Sequence, residues 1–236
     1  MRAVVLAGGK GTRLKPYTTT LPKPLVPVGD RSILDVMLMQ LKRAGVTHVT
    51  LAVNHLAHLI MAYFGDGERY ELKIDYSLEE KPLSTIAPLK LIKDLPEIFF
   101  VMNGDILTDL DYAELYREHC RSKADITVAT FERESKVDFG VLEMDAQRTI
   151  VGFKEKPAHR YNVSMGIYVL SRKLLDVVPA DEAFGFDDLM YACVERKLKA
   201  KSFRHTGFWL DIGRPDDYAL ANEKVEELLG DLFKRT

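Results

Sequence analysis

The sequence predicts an α/β fold in which a mostly parallel sheet is flanked by helices and carries a small antiparallel extension. Short apolar runs that end in glycine or polar residues are typical of buried strands. Between these runs, apolar residues recur at helical spacing, and this alternation of strands and helices favours a parallel sheet with helices on both faces. After about residue 135 the rhythm changes to strand-like segments with little helix between them, which predicts the antiparallel part.

The first part of the chain supplies the alternating elements. Residues 2–7 are an apolar run followed by glycine, and Ser32 with Asp35 three positions later matches a capping box that begins a helix. Gly45 is a natural stop for that helix. The further predicted elements are strands at 48–53, 72–76, 98–102 and 125–131, and helices at 56–64, 89–93 and 111–120.

The residues after about 135 form the antiparallel extension and the last helices of the predicted fold. Its predicted elements are strands at 139–144, 149–154, 166–170 and 200–205, and helices at 186–196 and 215–229. We expect one domain over 1–236, because no linker or repeat divides the chain. Ligands of such sheets bind beyond the carboxyl ends of the strands, so functional residues should directly follow strands.

Composition excludes several classes of function. A net charge of −2 over 236 residues argues against a general nucleic-acid or membrane-surface protein. No apolar run approaches the roughly 18 residues of a membrane span, and the first residues do not resemble a signal peptide. Cys120 and Cys193 are predicted to be buried free thiols. We therefore expect a soluble, cytoplasmic protein that binds neither nucleic acid nor membrane.

A glycine-rich, basic segment follows the first predicted strand at residues 8–29. It is not a P-loop, because Arg13 stands where the second glycine is required, and not a dinucleotide fingerprint, because Leu14 replaces the third glycine. A loop of this kind still lets backbone N–H groups approach an anion, and Arg13 adds a fork suited to phosphate oxygens. Lys23 is held between two prolines, an odd place for a solvated charge. A polar surface loop is the alternative.

Two aspartates occupy positions that suit a metal. Asp105 follows the predicted strand 98–102 after an Asn-Gly pair, and Asp211 lies between leucine and isoleucine. A hard divalent ion bound to a triphosphate takes one or two carboxylates. The Asn-Gly pair is also a turn signal, so a purely structural turn remains an alternative.

The segments GGKGTRL at 8–14 and PKP at 22–24 closely resemble the signature of sugar-phosphate nucleotidyltransferases. These enzymes join a nucleoside triphosphate to a sugar 1-phosphate and release pyrophosphate, and the resemblance extends over nearly the whole chain. It implies a Rossmann-like sheet with a nucleotide-binding half at 1–135. The second half, 136–236, would bind the sugar phosphate, and its antiparallel extension would form a lid on the sugar side.

The resemblance also implies roles for individual residues. Arg13, Lys23 and Asp105 would be catalytic, and Asp105 and Asp211 would bind Mg²⁺. The nucleotide would be bound by Leu6, Gly8, Gly9, Gly11, Thr12, Arg13, Lys23, Pro82, Ser84, Thr85, Asn103 and Gly104. The sugar phosphate would be bound by Gly140, Glu155, Lys156, Ser164 and Gly166. The implied partners are the two substrates, and a homo-oligomer is an open alternative to a monomer.

The chain departs from the family pattern in two places. Relatives carry Leu-Gly-Thr-Ala-Gly where residues 83–87 read LSTIA, so Ser84 and Ala87 replace glycines. A position that needs a positive φ would be strained by a non-glycine residue. Ser164 stands where many relatives have a longer asparagine. Asparagine at the position of Asn103 is common among guanylyltransferase relatives. The resemblance therefore favours GTP with a mannose- or heptose-type 1-phosphate over dTTP, CTP or UTP with glucose 1-phosphate.

Two other functions remain open on the sequence alone. The altered loop at 83–88 motivates a non-catalytic, nucleotide-sugar-binding regulatory subunit. Asp109 and Asp111 form an Asp-x-Asp pair of the kind that binds metal in glycosyltransferases, although they lie a few residues beyond the strand end.

Overall fold

The computed structural model describes residues 1–180 and 182–234. Within these residues the strands are β1 (Arg2–Leu6), β2 (Pro27–Val28), β3 (Arg31–Ser32), β4 (His48–Val53), β5 (Lys73–Leu78), β6 (Ile98–Asn103), β7 (Ile106–Thr108), β8 (Ile126–Lys136), β9 (Val141–Met144), β10 (Ile150–Lys154), β11 (Ala158–Ser171), β12 (Ala200–His205) and β13 (Trp209–Asp211). The α-helices are α1 (Ile33–Arg43), α2 (Ala57–Phe64), α3 (Tyr112–Ser122), α4 (Phe186–Glu195) and α5 (Pro215–Lys234).

The central sheet has seven strands in the order β12-β8-β11-β6-β1-β4-β5. Strands β6, β1, β4 and β5 are parallel to one another, and β12 is parallel to β8. Strand β11 is antiparallel to both of its neighbours, β6 and β8, so it alone of the seven runs against the others. The predicted mostly parallel sheet is confirmed, and small antiparallel sheets accompany it.

Hydrophobic clusters cover both faces of the sheet. Residues of β1 alternate between them: Ala3 and Val5 pack with α1, α2 and α3, whereas Val4 packs with α4. Burial on both faces explains why β1 reads as a continuous apolar run. The capping box is also present, since Ser32 Oγ accepts from Asp35 N at 3.1 Å and Ser32 N donates to Asp35 Oδ2 at 3.0 Å.

Several predicted elements need correction. The helix expected at 89–93 is a short 3₁₀ helix, Ala87–Leu91. Strand β11 begins at Ala158, before the predicted 166, because its polar first half is held by pairing with β8 and carries no apolar pattern. Both cysteines are free, but only Cys193 is buried and Cys120 is exposed. Among the described helices, none has the length and apolar character needed to cross a bilayer.

Candidate active site

The loop after β1 is shaped by Gly11. Gly11 has φ +60°, and a Cβ atom placed there would lie 2.9 Å from Thr18 Cγ2. The Thr18 hydroxyl donates to the carbonyl of Gly11 at 2.7 Å. Side chains are rarely tolerated at such a φ, so glycine lets the loop fold back on itself. The turn that follows, Lys23–Leu25, carries Lys23 into the protein, where only 8% of the residue is exposed.

A small antiparallel sheet brings the two predicted metal ligands together. Strand β7 starts directly after Asp105 and pairs with β13, so that Asp211 lies opposite Ile106. The backbone N–H of Ile212 donates to the carbonyl of Asp105 at 3.0 Å. Two carboxylates from distant parts of the sequence are thereby fixed side by side.

Lys23 lies between these carboxylates. Its Nζ forms an ion pair with Asp105 Oδ2 and lies 3.9 Å from Asp211 Oδ1. The guanidinium of Arg13 lies near the end of β13: its Nη2 would be 3.4 Å from a Cβ atom placed on Gly213, two residues after Asp211. The predicted catalytic residues Arg13, Lys23 and Asp105 therefore meet with Asp211 in one cluster, which we call the Lys23 cluster.

The carboxylates of the Lys23 cluster are incompletely satisfied. The Oδ1 atoms of Asp105 and Asp211 are both buried and accept no hydrogen bond. Burial and the nearby charge of Asp105 raise the pKa of Asp211, and the cations Lys23 and Arg13 oppose that rise. Although 46% of the Asp211 side chain is exposed, its Oδ1 is not. A cation bound between such buried oxygens would supply the partner that they lack.

The donor set fits Mg²⁺. Within the described residues no third His, Cys, Asp or Glu joins the two aspartates to complete a protein cage. Mg²⁺ is usually held by one or two carboxylates and completes its shell with water and substrate phosphate oxygens. Asp105 and Asp211 would hold it through their Oδ1 atoms, which accept no hydrogen bond.

A cavity of about 480 Å³ adjoins the cluster at the carboxyl ends of the parallel strands. Asp105 lines it together with seven of the predicted nucleotide ligands: Leu6, Gly8, Gly9, Pro82, Ser84, Thr85 and Asn103. The other predicted nucleotide ligands do not line it: Gly11, Thr12, Arg13, Lys23 and Gly104. Of these, Gly104 joins the ends of β6 and β1, since its N–H donates to the carbonyl of Leu6 at 3.0 Å.

Further residues of this cavity are absent from the sequence prediction: Lys10, Ala52, Asn54, Glu79 and Pro88. Asn54 follows β4 and Glu79 follows β5, so the rule that ligands bind beyond strand ends could have found both. The Asn54 amide donates to the carbonyl of Glu79 at 2.7 Å. Glu79 Oε1 accepts from Leu83 N at 2.5 Å, which holds the altered loop against β5.

Of the two positions where a non-glycine residue could be strained by a positive φ, Ser84 has that conformation and Ala87 does not. Ser84 has φ +69°, a left-handed conformation that favours glycine. Ala87, in contrast, is in the 3₁₀ helix with an ordinary backbone. Thr85 Oγ1 accepts from Phe186 N at 2.9 Å, which ties the loop to the start of α4.

The predicted sugar-phosphate ligands separate into two groups. Gly166 has φ +73°, and a Cβ there would lie 2.7 Å from Nδ2 of Asn103, so Gly166 packs against a residue that lines the cavity. Ser164 Oγ accepts from Gly166 N at 3.2 Å. Gly140 and Glu155 lie together on the β9–β10 hairpin, with Oε2 3.3 Å from a Cβ on Gly140.

Lys156 follows the same hairpin. Lys156 is exposed, and within residues 1–180 and 182–234 it forms no ion pair. Gly140, Glu155 and Lys156 do not line the cavity that adjoins the Lys23 cluster.

Comparison with known proteins agrees with this geometry. The profile of the family described as nucleotidyl transferase matches residues 2–228. D-glycero-alpha-D-manno-heptose 1-phosphate guanylyltransferase of Campylobacter jejuni is 32% identical over an alignment that covers 92% of this chain and 97% of that protein. Mannose-1-phosphate guanyltransferase of Candida albicans is 33% identical over 92% of this chain, which spans only 62% of that relative's length.

A solved structure matches as well. HddC from Yersinia pseudotuberculosis, crystallised in complex with GMP-PN, superposes with a TM-score of 0.72 at 28% identity, over 95% of this chain and 99% of that one. Together with the family profile, these matches show that the chain belongs to the nucleotidyl transferase family.

Proposed function

We propose that this protein transfers a guanylyl group from GTP to a mannose- or heptose-type sugar 1-phosphate, giving a GDP-sugar and pyrophosphate in the presence of Mg²⁺. The observation that carries the proposal is the Lys23 cluster, in which a nearly buried ammonium lies between two carboxylates. Each carboxylate has a buried Oδ1 that accepts no hydrogen bond, and Asp105 also lines the adjoining cavity.

The reaction joins two anions. An oxygen of the sugar 1-phosphate attacks the α-phosphorus of the triphosphate, and the bond to the β-phosphate oxygen breaks as pyrophosphate leaves. Such chemistry depends on positioning and charge neutralisation rather than on a covalent intermediate with the enzyme. Mg²⁺, when bound, supplies positive charge at phosphate oxygens.

The protein's own cationic side chains would each bind a different phosphate group. Lys23 would donate to oxygens of the α-phosphate, because its ammonium is fixed beside Asp105 and shielded from water. Arg13 and the backbone N–H groups of the glycine-rich loop would hold the β and γ phosphates. Lys156 and Glu155 would bind the sugar phosphate and its hydroxyls, and Gly140, Ser164 and Gly166 would shape that side of the site.

Glu79 supports guanine as the base. A carboxylate only accepts hydrogen bonds, and guanine alone of the common bases presents two adjacent donors, N1–H and the N2 amino group, on its Watson–Crick edge. Glu79 lines the nucleotide cavity with one oxygen bonded to Leu83 N and the other 3.5 Å from a Cβ placed on Gly8. The names of the Campylobacter and Candida relatives point to the same base and to mannose- or heptose-type sugars.

The alternatives have less support. A regulatory subunit without chemistry has no use for buried carboxylate oxygens that accept no hydrogen bond beside Lys23. The Asp-x-Asp pair of a glycosyltransferase is already engaged: Asp109 Oδ1 accepts from Phe208 N at 2.6 Å, and Asp111 caps α3 by accepting from Glu114 N at 2.9 Å.

A pyrophosphate-release screen with Mg²⁺ tests the proposal by crossing five nucleoside triphosphates with a panel of sugar 1-phosphates. We expect the highest kcat/KM with GTP and a mannose or heptose 1-phosphate. Preference for another triphosphate would overturn the guanine assignment, and sugar-nucleotide binding without turnover of any triphosphate would favour the regulatory subunit.

Glu79→Gln sharpens the test of base recognition. It replaces an acceptor by a donor against guanine, so kcat/KM for GTP should fall by about 10–150-fold, the value of a hydrogen bond to a charged group. Glu80→Gln is the matched control, because the neighbouring Glu80 is exposed and lines a different cavity. Equal effects of the two substitutions would refute the role of Glu79.

A further inference from the structure

The Asp-x-Asp pair at Asp109 and Asp111 is prominent in the sequence, yet the proposed reaction gives it no role. The structure separates the two carboxylates. Asp111 caps α3, where its side chain accepts from Glu114 N at 2.9 Å. Asp109 directly follows β7 and contacts the turn that leads from β12 into β13. Asp109 is therefore next to the start of the strand that carries the predicted metal ligand Asp211.

Asp109 extends the pairing of β7 with β13 beyond its last regular pair. That pair joins Thr108 to Trp209. One residue further, Asp109 N donates to the carbonyl of Phe208 at 3.2 Å. Phe208 N in turn donates to Asp109 Oδ1 at 2.6 Å. The backbone and the carboxylate of Asp109 thus hold the carbonyl and the N–H of the same residue.

His205 and Gly207 complete the turn around this carboxylate. His205 Nε2 lies 2.8 Å from Asp109 Oδ1 and 3.1 Å from the carbonyl of Phe208. Both neighbours only accept hydrogen bonds, so Nε2 carries a proton and donates to them. A Cβ atom placed on Gly207 would lie 2.4 Å from Asp109 Oδ1, so the turn passes directly over the carboxylate. We call Asp109, His205, Gly207 and Phe208 the Asp109 clamp.

The clamp and the predicted metal ligands are at opposite ends of one short ladder. At one end, Ile212 N donates to the carbonyl of Asp105 at 3.0 Å. At the other end the clamp holds Phe208, and Asp211 is the third residue after it, about 10 Å along a strand. Because the regular pairing involves only three residues on each strand, the bonds of the clamp are a large part of what fixes β13 on β7.

The register of β13 on β7 decides where the Asp211 carboxylate points. Its neighbours Leu210 and Ile212 are buried in a hydrophobic cluster, whereas 46% of the Asp211 side chain is exposed. Successive residues of a strand face opposite sides, so a slip by one residue would exchange these environments. Holding the register therefore keeps the carboxylate of Asp211 beside Asp105 and out of the core.

We propose that Asp109 is a positioning residue, which holds β13 in register on β7 through the clamp so that Asp211 meets Asp105 at the metal site. Asp109 itself binds neither the metal nor a substrate. This role rests on the proposed function, because the metal site belongs to it. The position of β13, however, can be measured without metal and without turnover.

The fluorescence of the chain's single tryptophan tests the position of β13. Trp209 begins the strand, and its indole Nε1 donates to the carbonyl of Met165 at 3.1 Å. In metal-free Asp109→Ala the strand should loosen, and the emission of Trp209 should shift to longer wavelength while the circular dichroism spectrum stays that of a folded protein. Asp109→Asn keeps an oxygen acceptor and should retain the wild-type emission. Gly207→Ala displaces the carboxylate from the clamp and should act like Asp109→Ala.

The matched control is Asp111→Ala. It removes the other carboxylate of the same pair and with it the cap of α3, so it should lower the melting temperature. It leaves the clamp intact, and the emission of Trp209 should therefore be unchanged. This control separates a loss of stability from a displacement of β13.

Mn²⁺ serves as a probe for the metal site, and the loss of the electron paramagnetic resonance signal of free Mn²⁺ measures its binding. The affinity of Asp109→Ala for Mn²⁺ should fall by about tenfold, the lower end of the 10–100-fold typical of residues that orient metal ligands. Asp109→Asn and Asp111→Ala should remain close to the wild type. In pyrophosphate release, the Mg²⁺ concentration for half-maximal rate should rise in Asp109→Ala by the same factor.

Unchanged Trp209 emission in Asp109→Ala, or an equal shift in Asp111→Ala, would overturn the positioning role. An equal loss of Mn²⁺ affinity in these two variants would overturn it as well. Mn²⁺ binding that persists unchanged in Asp105→Asn/Asp211→Asn would instead overturn the metal assignment of the proposed function, whatever the emission shows. The two failures are therefore distinguishable.

Discussion

Removing the ammonium of Lys23 is the perturbation for which the structure gives the sharpest expectation. Lys23→Met keeps the apolar stem and leaves Asp105 and Asp211 facing each other without the cation between them. At an effective dielectric constant near 20, an ion pair about 4 Å apart is worth about 4 kcal/mol before desolvation is counted. Water reaches the pair, since 21% of the Asp105 and 46% of the Asp211 side chain is exposed. We therefore expect a loss of about 1–3 kcal/mol, below the 3–5 typical of fully buried pairs.

Urea unfolding in metal-free buffer measures this loss. Lys10→Met is the matched control, because it removes an exposed lysine from the same loop and should change the free energy of unfolding by less than about 0.5 kcal/mol. The double variant Lys23→Met/Asp105→Asn removes the uncompensated charge as well, so it should regain most of the lost stability.

Activity should follow a different pattern from stability. Pyrophosphate release should fall by about 10²–10⁴-fold in Lys23→Met, the scale of losing one electrostatic element, and stay low in the stabilised double variant. If Lys23→Met is as stable as Lys10→Met, or if the double variant loses the sum of the two single losses, the ion-pair account is refuted.

Three further predictions concern the carboxylates and the altered loop. Asp105→Ala and Asp211→Ala should each lower kcat/KM by about 10²–10⁴-fold in a pyrophosphate-release assay, and near-normal release by Asp105→Ala would contradict the metal assignment. Because folding raises the pKa of Asp211 above its unfolded value of 3.8, the folded state holds that proton more tightly, and stability is lost as pH rises from about 4 through the raised pKa. Metal-free Asp211→Asn should therefore melt above the wild type at neutral pH, and the difference should close on acidification; a difference that grows towards low pH has the wrong sign. Ser84→Gly relieves a positive φ and should stabilise by about 0.5–1 kcal/mol, whereas Ala87→Gly should destabilise by about as much, and thermal shifts of the same sign would contradict the assigned backbone.

The core of the fold could be predicted because its signals are local. The apolar run of β1 and the capping box at Ser32 each determine their own element without reference to distant residues. The outer half of β11 has no such signal, because it is exposed and held only by its pairing with β8. The 3₁₀ helix at Ala87–Leu91 is too short for apolar spacing to separate it from an α-helix.

The candidate site shows the same division. Arg13, Lys23, Asp105 and Asp211 could be named from their surroundings in the sequence, namely the glycine-rich loop, flanking prolines and apolar neighbours. The pairing of β7 with β13, which brings Asp105 and Asp211 together, could not be predicted from the sequence, because it involves only three residues on each strand. Glu79 directly follows β5, so the rule that ligands bind beyond strand ends was sufficient to find it, although its type and its neighbours in the sequence carry no further signal.

The Lys23 cluster is proposed to carry out guanylyl transfer to a sugar 1-phosphate. Mass spectrometry of a reaction with GTP, mannose or heptose 1-phosphate and Mg²⁺ tests it most directly. We predict a GDP-sugar formed in equal amount with pyrophosphate by the wild type, and loss of both products in Asp105→Asn/Asp211→Asn although that variant still binds GTP in calorimetry. Undiminished product from the variant, or cleavage of GTP without any sugar nucleotide in the wild type, would contradict the claim.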